Sequence, residues 1–273
     1  MEVLVAVTAF AGALLAVIAV GSLVSRLREE VTGWLIAWTV TAAALCLSLG
    51  VVAIGHLAGF GPATFRIYQV TGALLAPLWL AVGAIQLLSR AVPGRFASWL
   101  FAGAFTVIGL VIMIADPVSA TPPFGRSLPV GDQHWDLWPQ SLLDILHLII
   151  AVILVVALIL ALRRARDGDD YDLDNRHALA VLAPVGVATL AALQFSVPGI
   201  VTAGLLSLLG GSVWYVVARP LAPYEDEDEE EADEADEWPE RRPRTRERPP
   251  EDVPVAGHRQ EDGRAGARHA APP

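Results

Sequence analysis

Residues 138–164 read WPQSLLDILHLIIAVILVVALILALRR. From Leu148 to Leu162 every residue is apolar, and the run closes on Arg163 and Arg164. An α-helix rises 1.5 Å per residue, so about 20 apolar residues cross a ~30 Å hydrocarbon core. The stretch therefore reads as a bilayer-spanning helix, and its terminal arginines mark the end that stays in the cytosol. Near its other end it carries Asp144 and His147, the Asp and His set furthest into an apolar run.

Six further apolar runs flank this one, at about 3–24, 33–55, 68–88, 97–115, 178–193 and 198–217. The expected fold is all-α: a seven-helix transmembrane bundle over residues 1–220. The run at 178–193 is short and contains Pro184. Pro77 falls at mid-depth of the third run, where it should kink the helix without ending it, because a neighbouring helix can satisfy the freed carbonyl. Gly12, Ala9, Ala13 and Ala16 in the first run, and Gly199, Ala203, Ser207 and Gly211 in the last, form small-residue faces. Such faces let helix backbones approach closely in lipid.

Counting arginines in the short loops sets the orientation. The loops after the first, third and fifth runs carry Arg26, Arg28, Arg90, Arg95, Arg163, Arg164, Arg166 and Arg176, eight in all, against Arg66 and Arg126 in the others. The first group should be cytosolic, which puts the N-terminus outside and the C-terminus inside. Glu2 precedes the first run and Arg26 and Arg28 follow it. A secretory signal peptide has the opposite polarity, so the first run is expected to be a retained anchor.

Charge changes character after the last run. Residues 1–224 hold 12 acidic residues against 11 arginines, and residues 225–273 hold 17 against 8, which together give the net −10. In 225–237, 11 of 13 residues are acidic, and an Arg/Pro-rich segment follows. So few apolar side chains cannot offset the entropy of ordering, and residues 221–273 are expected to form a disordered cytosolic tail that can contact a protein partner. Every basic residue is arginine. With the richness in Ala, Val, Gly and Leu, this points to GC-biased codon usage and a bacterial cell membrane. The absence of lysine excludes any Schiff-base chemistry. A lone cysteine, Cys46, excludes an intramolecular disulfide.

With this orientation, His56, Arg66, Gln69, Asp116, Asp144 and His147 all come to the outer side. Ionisable groups at membrane depth are costly and tend to mark sites, so these residues are the candidate ligand or proton site. Asp116 closes a helix C-terminus, where a carboxylate opposes the dipole, and Arg66 or Arg126 should neutralise it. The bland alternative is that Ser141-Leu-Leu-Asp144 is a capping box that starts a helix. Trp135 and Trp138 read as an interfacial aromatic belt.

Several chemistries are excluded. No Walker loop, Gly-x-Ser-x-Gly or His-Glu-x-x-His motif occurs, and no histidine follows His177 in the last two runs. The acidic stretch 167–175 fails the EF-hand pattern, with Asn175 where glycine belongs and Val181 where the bidentate Glu belongs. No metal, cofactor or nucleic acid is expected. The function expected first is a non-enzymatic sensor, scaffold or assembly factor. The alternative is a small-solute or proton-coupled transporter using Asp144 and His147.

Overall fold

The structure is a computed structural model that describes residues 1–89, 91–164, 170–195 and 197–219. Arg90, Arg166 and the acidic and Arg/Pro-rich stretch 221–273 lie outside the described residues.

Among the described residues the chain is helical, with no strand. In order it forms α1 (Glu2–Glu29), α2 (Gly33–Ala58) and a compound helix made of α3 (Pro62–Tyr68), a π-helical stretch (Gln69–Leu75) and α4 (Ala76–Leu88). Then come α5 (Val92–Ala115), the short α6 (Gly131–His134), α7 (Leu137–Arg164), α8 (Asp170–Gln194) and α9 (Gly199–Ala218). Seven helices are long and apolar enough to cross a membrane, counting Pro62–Leu88 as one. The run expected to be short is 20 residues of a longer helix, Asn175–Gln194. Pro184 sits inside that helix without ending it.

The side chains are distributed inside out relative to a water-soluble protein. On α1 the buried face is Ala6, Ala9, Gly12, Ala13, Ala16 and Ala19, while Val7, Phe10, Leu14 and Val17 are exposed. Water would drive the large residues inward. Lipid offers them equally apolar surroundings, so close packing of small residues decides which face turns in. α1 packs between α2 and α9, and the chain of neighbours continues through α8, α7 and α4 back to α2. Six long helices thus close a ring, and α5 leans against α4 from outside it.

The two small-residue faces predicted from sequence meet each other. A Cβ on Gly12 would lie 1.9 Å from Ser207 Oγ, and Gly210 faces Ala16. Ser207 Oγ also donates to the carbonyl of Thr8 at 3.4 Å, a bond from α9 to α1.

At one end of the ring, arginines close helix termini. The last carbonyls of a helix have no intrahelical partner, and cations there also complement the dipole. Arg26 donates to the carbonyl of Arg219 just past α9, and Arg164 to that of Leu88, the last residue of α4. Arg95 reaches the neighbouring carbonyl of Ser89. Gln86, the polar residue of this half, is satisfied locally by donating to Arg95 O at 2.9 Å and Ser98 Oγ at 2.7 Å.

The opposite end is covered by the connection between α5 and α7, which folds as a lid around Phe65 of α3. Phe124, His134 and Trp135 surround Phe65 with ring centroids 5.8, 5.3 and 5.1 Å away. Phe124 and His134 stack at 4.0 Å. Gly59 adopts φ 98° after α2, a backbone turn that favours glycine. The next residue, Phe60, donates its N–H to the lid carbonyl of Gly125 at 2.8 Å. The aromatic-belt reading is therefore not met by Trp135. Trp138 is 74% exposed, whereas Trp135 is 6% exposed and belongs to the lid core.

Candidate functional site

The site is built where the compound third helix departs from α geometry. Pro77 has no N–H to give to the carbonyl four residues earlier, that of Ala73. Just before it the helix widens, and the Ala76 N–H bonds to the Thr71 carbonyl five residues back. Such π-turns recur at functional sites. The Ala73 carbonyl is taken by a neighbouring helix: His147 Nε2 on α7 lies 2.7 Å away.

From His147 a line of side chains runs across to α8 and back to α7. His147 Nδ1 lies 3.2 Å from Gln194 Oε1 on α8. Gln194 Nε2 donates to Asp144 Oδ1 at 2.8 Å. Gln140 Nε2 donates to the same oxygen, also at 2.8 Å. α7 supplies Gln140, Asp144 and His147 from one face because they are spaced four and three residues apart.

This geometry overturns the capping-box reading. α7 begins at Leu137, so Asp144 lies two turns inside the helix. Its carboxylate accepts side-chain amides, not the backbone N–H groups of a helix start. A capping box on Ser141 would start the helix at residue 142, five residues later than it begins. Pro139 is buried in the first turn, where its missing N–H costs nothing.

Above the array is a cavity of about 480 Å³. Gln69, Gln140, His147, Gln194 and Thr202 supply its polar lining, with Tyr68 beside them. The lid roofs it with residues between Pro122 and His134, including Phe124 and Asp132. Gly131 at the start of α6 permits this closure. A Cβ there would come 2.7 Å from Gln140 Oε1 and 3.5 Å from Gln69 Nε2. Among the described residues, no arginine lines the cavity.

The six residues singled out from sequence fall in three places. Gln69 and His147 line the cavity, and Asp144 holds its side-chain amides from behind. Arg66 and Asp116 form a separate junction at the end of α5. There Arg66 Nη2 donates to the backbone carbonyl of Asp116, so it closes the helix end and does not pair with the carboxylate as anticipated. The Asp116 carboxylate instead accepts the N–H of Asp136 in the lid at 3.4 Å. His56 bonds through Nδ1 to the carbonyl of Val52 at 2.9 Å and stands edge-on to Phe60. It sits behind Gly199, which lines the cavity.

Gln194 and Gln140 were missed. Gln194 is the last residue of α8, at the end of its helix that meets His147. That placement was the available signal. Among the described residues, no group of three or more His, Cys, Asp or Glu could hold a metal ion. No protein-family model matches the chain, and no curated protein sequence is similar to it.

Proposed function

We propose that the protein is a multi-pass cell-membrane protein, bacterial by its composition, that binds a small polar ligand under the lid and acts as a sensor or scaffold. The N-terminus and the lid face outward, and the C-terminus faces the cytosol. The observation that carries this reading is the lidded cavity itself. Tyr68 and Gln69 line it and are buried, at 3% and 6% exposure. Buried polar groups are costly unless they find a partner, and an occupant of the cavity provides one. Carboxamides, an imidazole and hydroxyls offer both donors and acceptors. With no arginine in the lining and Asp132 at the roof, the favoured occupant is uncharged or cationic. On this topology the acidic stretch 225–237 faces the cytosol and offers a contact for a protein partner.

Two measurements test this. In a Cys46→Ala background, Ser127→Cys in the lid should react with a membrane-impermeant maleimide on intact cells, and Ser89→Cys at the other end only after lysis. The reverse pattern sinks the topology. A thermal-shift screen of sugars, amino acids, polyamines and organic acids should stabilise the native protein, but not Gln140→Leu, with hits among the uncharged and cationic solutes. Hits that stabilise both proteins equally, or none at all, sink the binding role.

The transporter reading has less support. Below the cavity Leu146, Ile150 and Leu154 are fully buried along α7. Alternating access needs polar groups and broken helices near mid-depth.

A further inference from the structure

We propose that His147, Gln194 and Asp144 form a single proton-binding site, which holds at least one exchangeable proton whenever Gln194 bridges the other two.

The argument is one of donor and acceptor parity. The Ala73 carbonyl can only accept, so His147 Nε2 carries a hydrogen. That leaves Nδ1 facing Gln194, with Asp144 on the far side of the same amide. A carboxamide has one donor end and one acceptor end. With its NH2 towards Asp144, its oxygen faces Nδ1, and Nδ1 must then be protonated: an imidazolium and a carboxylate. With the amide reversed, its NH2 faces a bare Nδ1 and its oxygen faces Asp144, which must then be the protonated carboxylic acid. Amide orientation is assigned from the network and not seen directly, but the count is the same both ways. The pair holds one proton more than a neutral imidazole plus a carboxylate, and its net charge is zero.

Of the two other combinations, an imidazolium beside a protonated acid holds a second proton and is still bridged, whereas a neutral ring beside an ionised carboxylate cannot be bridged. One end of the amide would always set two acceptors face to face. Release of the proton therefore breaks the bridge. Gln194 is exposed, so its side chain is free to swing into the cavity when that happens. Uptake forms one N–H or O–H bond from a proton arriving through the cavity, and the array passes from charge −1 to 0. Gln140 donates to Asp144 in every state and does not alter the count.

Other groups face the array from the elements packed around it. The third helix brings Tyr68 and Gln69, α9 brings Thr202, and the lid brings Asp132 and His134. His134 Nδ1 is held by the Ser119 carbonyl at 2.9 Å. Among the described residues the lining therefore holds one carboxyl side chain besides the array, Asp132 at the exposed rim.

The test needs no ligand, so its failure is distinct from failure of the binding role. The full chain, labelled with 15N-histidine and 13C-aspartate, is titrated in lipid nanodiscs. His147 is assigned by the signal lost in His147→Gln. In the native protein the ring and the Asp144 carboxyl should change together, in one step that releases one proton. In Asp144→Asn the substituted side-chain amide supplies the missing donor, so His147 should stay neutral throughout with no step. In Gln194→Leu the bridge is gone, and the two groups should titrate separately. A neutral His147 beside an ionised Asp144 at every pH where the native fold persists would overturn the proposal. So would a His147 ring that titrates in Asp144→Asn as it does in the native protein. The native titration decides the matter even if a variant fails to fold.

Discussion

Arg164 Nη1 lies 2.7 Å from the carbonyl of Leu88, so the cation that ends α7 also closes α4. The same arginines that set the loop-charge asymmetry therefore have a second role inside the bundle. Arg164→Ala should lower stability by about 1 kcal/mol, the usual scale for a cation at a helix C-terminus. Arg164→Lys should recover part of it, since lysine keeps the charge but loses the planar donor fork. Thermal unfolding in detergent distinguishes the two. Equal losses for both would assign the contact to packing of the stem.

His147 and Pro77 compete for responsibility over one carbonyl. His147→Phe should strand the Ala73 oxygen at a cost of roughly 1–3 kcal/mol. Pro77→Ala restores an N–H four residues ahead of it and lets the helix satisfy its own carbonyl. The double variant should therefore be less destabilised than the sum of the two single changes predicts. A double-mutant cycle in a reversible unfolding assay reads this coupling, about 1 kcal/mol or more for groups in direct contact. Strict additivity would mean that the bond carries nothing.

Gly12 and Ser207 set the distance between α1 and α9. Gly12→Val should force the helices apart and destabilise the protein by about 1–3 kcal/mol, the scale of overpacking in a close-packed interior. Gly21 lies on the same helix with nothing within 4 Å of its Cβ position. Gly21→Ala should be neutral or slightly stabilising, because alanine favours helix more than glycine does. Both are read by thermal unfolding, and a neutral Gly12→Val would show that the two helices separate without cost.

Phe65 holds the lid. It is fully buried, and Phe124, His134 and Trp135 all rest on it. Phe65→Ala should cost about 3–5 kcal/mol if the lid stays docked, or undock it at smaller cost. In the second case Trp135 becomes wet, its emission shifts to the red, and proteases cut between residues 117 and 135. Unchanged emission and unchanged cleavage in a folded variant would mean that the lid is held by something else.

The apolar runs made the seven long helices legible because length and hydropathy decide them without reference to partners. The small-residue faces were equally plain: Gly12 and Ser207 recur at helical spacing, and only close approach makes use of them. Pro77 announced its kink, though not that His147 would answer it, since that pairing joins residues 70 positions apart. The lid was harder to foresee. Its sequence is rich in proline and glycine and reads as a loop, and its order comes from Phe65, which lies in another element. The capping-box alternative for Asp144 failed for a related reason. The Ser-x-x-Asp pattern is local, whereas the carboxylate is in fact claimed by Gln194 from α8. Sequence pattern reports what a segment does alone, and the site is made of what segments do to each other.

The cavity lies under the lid, and deeper along α7 Leu146, Ile150 and Leu154 are fully buried. On the binding role proposed above, a solute arriving from the lid side would depart by the door it came through, and the chamber would register visitors instead of moving cargo. Whatever message it sends must travel as a shift of the helices themselves, and α8, which holds Gln194 at the chamber and Asn175 near the far end, spans the whole distance.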